Sequence, residues 1–193
     1  MLYEVSEEAR RKARTPHELF MFNLAVFHLM LAPVSFFLLR DINALLIPLT
    51  ISCTVIAYIF IQGKRLEKRA PWYIMVHWKL AFRRGVVMLI AYSVSAAIII
   101  AGWLVTLGIA RHTTQDIVFT VFSRIGVMPT FVLVVVNFVL ESSAIYQAGR
   151  GEVPDGMLKR YPAPADLVVR EDDIPPGGGP PAIQDSVEAS QDA

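Results

Sequence analysis

Four apolar segments, each long enough to cross a bilayer as a helix, fill most of residues 19–146 and confine nearly all charge to the stretches around them. A helix needs about 20 apolar residues to cover ~30 Å of hydrocarbon, and only helices or closed barrels satisfy every backbone polar group there. The segments run about 19–39, 44–61, 85–109 and 125–146. The chain is therefore expected to be an all-α membrane protein, four transmembrane helices packed as an antiparallel bundle. An apolar fraction of 54% and a mean hydropathy of +0.48 agree with that class.

Charge is informative once it is divided. Residues 1–148 carry 14 basic and 8 acidic side chains, whereas residues 149–193 carry 4 and 9, so a basic body precedes an acidic tail. Outside the spans, 15 of 18 basic residues fall in the arm (1–18), the central loop (63–84) and the tail, against Arg40, Arg111 and Arg124 elsewhere. The positive-inside rule then puts those three segments, and both termini, in the cytoplasm, as in a multi-pass protein of a bacterial-type inner membrane. Little chain is left for the opposite face, which argues against a receptor with an external binding domain. The first span is too long, and what precedes it too polar, for a cleaved signal peptide, so it is expected to stay as an anchor. The single cysteine, Cys53, excludes an intrachain disulfide and a cysteine-cluster metal site.

Along the chain, a charged arm leads to Thr15, Pro16 and Glu18, which read as N-cap, first helical residue and capping-box partner of the first span. Arg40 to Asn43 allow only a tight return, so the first two spans should form a helical hairpin. The loop 63–84 mixes Lys64, Arg65, Lys68, Arg69, Arg83 and Arg84 with Trp72, Tyr73 and Trp78, and reads as chain lying among headgroups. It is also the candidate docking surface for an anionic lipid or an acidic partner, although topology alone would require the same residues. From Gly149 onward, 7 Pro and 6 Gly in 45 residues predict a disordered cytoplasmic tail, with a short ordered part near Gly156–Val169.

Polar side chains in hydrocarbon ask for a partner or a purpose. Counting ~1.5 Å of rise per residue puts His28, Thr54, Ser93 and Asn137, one from each span, roughly 10–15 Å from the cytoplasmic edge. Asn23 and Glu141 lie nearer that edge, and Asn137 and Glu141 are four residues apart on one helix face. His28, Asn137 and Glu141 therefore head the candidate intramembrane polar site, with Thr54 and Ser93 beside them. The competing account is interhelical hydrogen bonding, worth roughly 0.6–2 kcal/mol per contact. Ser93, Ala97 and Ala101 recur every four residues and form a candidate helix-packing stripe.

No cofactor or metal is expected. His28 is the only histidine inside a span, so facing haem ligands are lacking, and a His17–His77 pair at the boundary is a weak ligand set. The chain has no phosphate-cradling glycine loop, no Ser/His/Asp or Cys/His set and no paired-carboxylate site, so enzymatic activity is not expected. The expected partners are the bilayer and either other membrane subunits or further copies of the chain, not nucleic acid. By elimination, the sequence points to an accessory, assembly or scaffold subunit of a larger membrane complex. The alternative is a small oligomeric transporter or channel with the polar layer lining its path.

Overall fold

The computed structural model describes residues 1–39 and 42–169. Four long helices dominate it: α1 (Glu7–Leu39), α2 (Ile42–Leu66), α3 (Trp72–Thr106) and α4 (His112–Arg150), each with a stretch long and apolar enough to span a membrane. A single turn, α5 (Asp155–Leu158), follows. The protein is thus an all-α, multi-pass membrane protein with its apolar helices packed together. The hairpin connection at Arg40 and Asp41 and the Pro/Gly-rich tail from Arg170 onward lie outside the described residues.

The first helix begins earlier than the sequence suggests. Ser6, not Thr15, is the N-cap: its Oγ accepts the Ala9 N–H at 3.2 Å, and Glu7 and Glu8 complement the helix N-terminus. Thr15 Oγ1 instead donates to the Arg11 carbonyl at 3.3 Å, one turn back within a helix already formed. Pro16 lies inside that helix with its ring buried, so one backbone bond is given up without ending it. From Asn23 to Leu31 the helix widens to a π-helical winding before resuming as an α-helix over Ala32–Leu39.

The central loop is also mostly helix. α2 continues to Leu66, with Lys64 and Arg65 complementing its C-terminus, and α3 starts at Trp72 after an extended Pro71. Tyr73, Ile74, Val76, His77 and Trp78 are buried, so this segment is packed helix that turns these side chains into the protein. Its apolar positions follow helical spacing, which draws the aromatic rings into the bundle. α4 likewise begins 13 residues before the expected span at 125 and runs through Pro129 without a break.

Two apolar cores result. Within the bundle, Phe20 and Leu24 of α1 meet Ile56 and Ile59 of α2, Trp78 and Met88 of α3, and Val134 of α4. At the end of the bundle where the arm, the α2–α3 connection and the end of α4 converge, Tyr3, Ala13, Tyr73, Val76, Ala148, Val153 and Met157 form a second core. Residues 149–169, expected as part of a solvated tail except for a short piece, supply much of it. Gly151 turns the chain at φ +89°, a left-handed conformation that favours glycine, and its carbonyl accepts the Tyr3 N–H at 2.9 Å. Bridges pair Leu2 with Glu152 and Tyr3 with Val169. Burial first, and then the Asp155 carboxylate, raise the Tyr3 phenol above its ordinary pKa.

Candidate functional site

Two buried polar networks stand between the helices, one above the other along the bundle. The first lies near the basic end. His17 of α1, His77 of α3 and Glu141 of α4 are fully buried, because each occupies the core-facing stripe of its helix: Ala13, His17, Phe20 and Leu24; Tyr73, His77 and Ala81; Asn137, Glu141, Ala144 and Ala148. His17 Nδ1 is 2.6 Å from Glu141 Oε2, and His17 Nε2 is 3.1 Å from His77 Nδ1. His77 Nε2 is 3.2 Å from the Glu152 carbonyl oxygen.

The carbonyl at the end of this chain fixes its direction. A carbonyl only accepts, so His77 Nε2 carries a hydrogen, which makes Nδ1 the acceptor of a neutral His77 ring and His17 Nε2–H the donor to it. One more proton lies between His17 Nδ1 and Glu141 Oε2. On nitrogen it gives an imidazolium–carboxylate pair; on oxygen it gives a neutral pair; both placements satisfy the chain. Arg84 Nη1 stands 3.2 Å from Glu141 Oε1. That approach is a charge contact outside hydrogen-bond geometry, since Oε1 has no hydrogen-bond partner and Nη1 donates to the Leu140 carbonyl at 2.8 Å. Tyr73 closes the site by donating to the Ala148 carbonyl at 2.9 Å.

The second network lies further into the membrane body and closes on itself. Asn23 Nδ2 donates to Ser52 Oγ at 2.9 Å, Ser52 Oγ and Tyr92 Oη are 2.8 Å apart, and Tyr92 Oη is 2.6 Å from His28 Nε2. His28 Nδ1 returns to the Asn23 carbonyl at 3.4 Å. Read in one direction, every hydroxyl donates once and accepts once: Asn23 to Ser52, Ser52 to Tyr92, Tyr92 to His28, and His28 Nδ1–H back to Asn23. His28 is then the neutral tautomer with Nε2 accepting. The Asn23 Oδ1 atom is left buried without a partner.

The structure separates the layer read from depth alone. His28 joins Tyr92 and Ser52, but Asn137 is buried elsewhere and donates to the Leu133 carbonyl of its own helix at 2.9 Å. Thr54 and Ser93 are exposed and bond back to Thr50 and Leu89, at 2.9 Å in each case. Rise along a helix gives depth but not azimuth, and both hydroxyls have the wrong azimuth. The Ser93, Ala97, Ala101 stripe does not seat another helix of the same chain: all three residues face outward, while Ser95 and Gly102 of α3 pack on α4.

The docking candidates divide in the same way. Lys64, Arg65, Lys68 and Arg69 are exposed around the end of α2. Trp72 packs edge-on against Tyr3 with ring centroids 5.5 Å apart, Tyr73 and Trp78 are buried, and Arg83 reaches toward Met157. Sequence reading weighed His17 and His77 only as a boundary ligand pair, and it missed Ser52 and Tyr92. The core-stripe positions of the two histidines were the available signal. No group of three or more His, Cys, Asp or Glu side chains among the described residues is arranged to hold a metal ion. The chain matches no known family model, and comparison with curated proteins and with solved structures gives no significant match.

Proposed function

We infer that this protein is an accessory or scaffold subunit of a larger membrane complex, placed in a bacterial-type inner membrane with both termini in the cytoplasm. The observation that carries this reading is where the polar inventory goes. Both buried networks bond chiefly within the chain and tie helices to one another, so they brace the bundle, while its outward faces are left apolar. In the most apolar stretch of each helix only 17–33% of residues are buried within the molecule, which leaves long faces for lipid or for other membrane helices. The three basic segments gather at one end of the bundle, which supports a common cytoplasmic side by the positive-inside rule.

The test is gentle extraction of the tagged protein from native membranes, followed by mass-spectrometric identification of whatever co-purifies in stoichiometric amount. A defined membrane partner, retained when His17 or Glu141 is replaced in a variant that still folds, supports the subunit reading. A clean homo-oligomer without a partner overturns it.

The His17–Glu141–His77 chain favours one second reading, proton-linked transport by an oligomer. A carboxyl and two imidazoles in line offer two positions for one proton between adjacent groups, the kind of arrangement found along proton paths. Proton flux into reconstituted vesicles that disappears in an E141Q variant still assembling normally would support it; unchanged background leak in wild type and variant would remove it.

A further inference from the structure

At the basic end of the bundle, the last turns of α2, the first turns of α3 and residues 160–161 enclose a cavity of about 140 Å³. Lys64, Lys79, Arg83 and Arg160 line it, set against Trp78 and Phe82. These four cations have one carboxylate between them among the described residues: Lys79 Nζ is 3.0 Å from Glu67 Oε2. Lys64 Nζ sits 4.6 Å from the centre of the Phe60 ring, and Arg83 Nη1 has the thioether of Met157 at 3.6 Å, a weak acceptor. Four positive side chains around one small cavity attract an anion more strongly than any one of them would alone.

The level of the cavity along the helices says which anion. Immediately on one side of it lie Lys64 and Arg65, where the apolar run of α2 has ended; on the other side lies Gly85, where the apolar run of α3 begins. The cavity therefore straddles the border between hydrocarbon and polar chain, the depth at which phospholipid phosphates stand and at which Trp and Tyr rings are favoured. Its apolar wall, Ile59, Phe60 and Phe82, includes Phe60, which is 36% exposed, and the same face of α2 runs on toward the hydrocarbon through the exposed Ala57 and Cys53. A cationic cup continuous with an exposed apolar strip is complementary to an anionic head carrying acyl chains. We propose that this cavity is a binding site for one anionic phospholipid, its phosphate held by Arg83, Arg160 and Lys64 and its chains laid along α2.

The full chain, purified in detergent and stripped of lipid, is titrated with phosphatidylglycerol, phosphatidylcholine or glycerol 3-phosphate, and bound stoichiometry is read by native mass spectrometry. One phosphatidylglycerol is expected to bind well ahead of phosphatidylcholine, and glycerol 3-phosphate, lacking the chains, is expected not to compete. Each basic group near the headgroup strengthens binding roughly fivefold, so R83Q/R160Q should weaken the first lipid by about 25-fold. R111Q/R124Q, which removes two exposed charges outside the three basic segments, should change it less than twofold. Lys64→Gln reads the same site, with about a fivefold loss, should the double variant fail to fold. Equal binding of the two lipids, equal losses in the two double variants, or full competition by glycerol 3-phosphate would overturn the assignment. So would binding of phosphatidylglycerol that appears only once residues 170–193 are removed, because the acidic tail would then be the resident ligand.

Discussion

Glu141 is fully buried, and its partners decide what its replacement costs. Taking away one side of a buried ion pair destabilises by about 3–5 kcal/mol, because the remaining group is left buried and unpaired. E141A should lose that much in thermal or denaturant unfolding of the detergent-solubilised protein, whereas E141Q should lose about 1–3 kcal/mol, since its amide N–H can still donate to Nδ1 of a neutral His17. The two residues act as one unit, so H17A/E141A should cost clearly less than the single changes added together. Strict additivity would mean that the 2.6 Å contact carries no coupling. The second network gives a matching contrast. Y92F strands both the Ser52 hydroxyl and His28 Nε2 and should cost about 1–2 kcal/mol. T54V and S93A, on outward-facing residues bonded only to their own helices, should stay within about 0.5 kcal/mol of wild type.

Between elements, the α3–α4 crossing depends on one close approach. A Cβ at Gly102 would collide with the Phe122 side chain, so Phe122 of α4 packs directly on the α3 backbone there. G102L should destabilise by about 1–3 kcal/mol through overpacking, while A97L, on the outward face of the same helix, should be neutral in the same unfolding measurement. The pair of variants also tells which small-residue stripe packs. Ser93, Ala97 and Ala101 form as regular a pattern as Ser95 and Gly102, and nothing in a four-residue spacing says which side of a helix another helix will take. That is the general limit of what could be read in advance. The number of apolar helices and the helical class were legible because hydrocarbon thickness and backbone satisfaction leave few alternatives. The polar partners were not, because His28, Thr54, Ser93 and Asn137 share a depth without sharing an azimuth. His17 and His77 were hidden for a related reason: the charges around them suggested surface chain, whereas α1 and α3 continue as helices through those charged stretches and turn both rings inward.

For the whole molecule, that continuation makes the basic end a second folded body and not a set of tails. The arm contributes Tyr3 and Ala13, α3 contributes Tyr73 and Val76, and residues beyond Arg150 contribute Val153 and Met157 to one core. Shortening the chain at two places separates the packed part from the rest. Ending it after Val169 keeps every contact of that core among the described residues and should leave the unfolding midpoint unchanged. Ending it after Arg150 removes Val153 and Met157, each worth about 1.5–3 kcal/mol of burial, together with the Gly151 turn and the Glu152 carbonyl that orients His77. That shorter chain should unfold at a markedly lower temperature. It should also become sensitive to trypsin around Arg10, Arg11, Lys12 and Arg14, because the arm helix would lose the bridges at Leu2 and Tyr3 that hold its start. Limited proteolysis followed by mass mapping reads the outcome directly. Equal resistance in the two shortened chains would mean that α1 is held by the bundle alone and that the second core adds nothing. Cleavage confined to the arm in the shorter one would mean that residues 151–169 act as a clasp, coupling anything that binds this face to the orientation of His17 and His77 within the bundle.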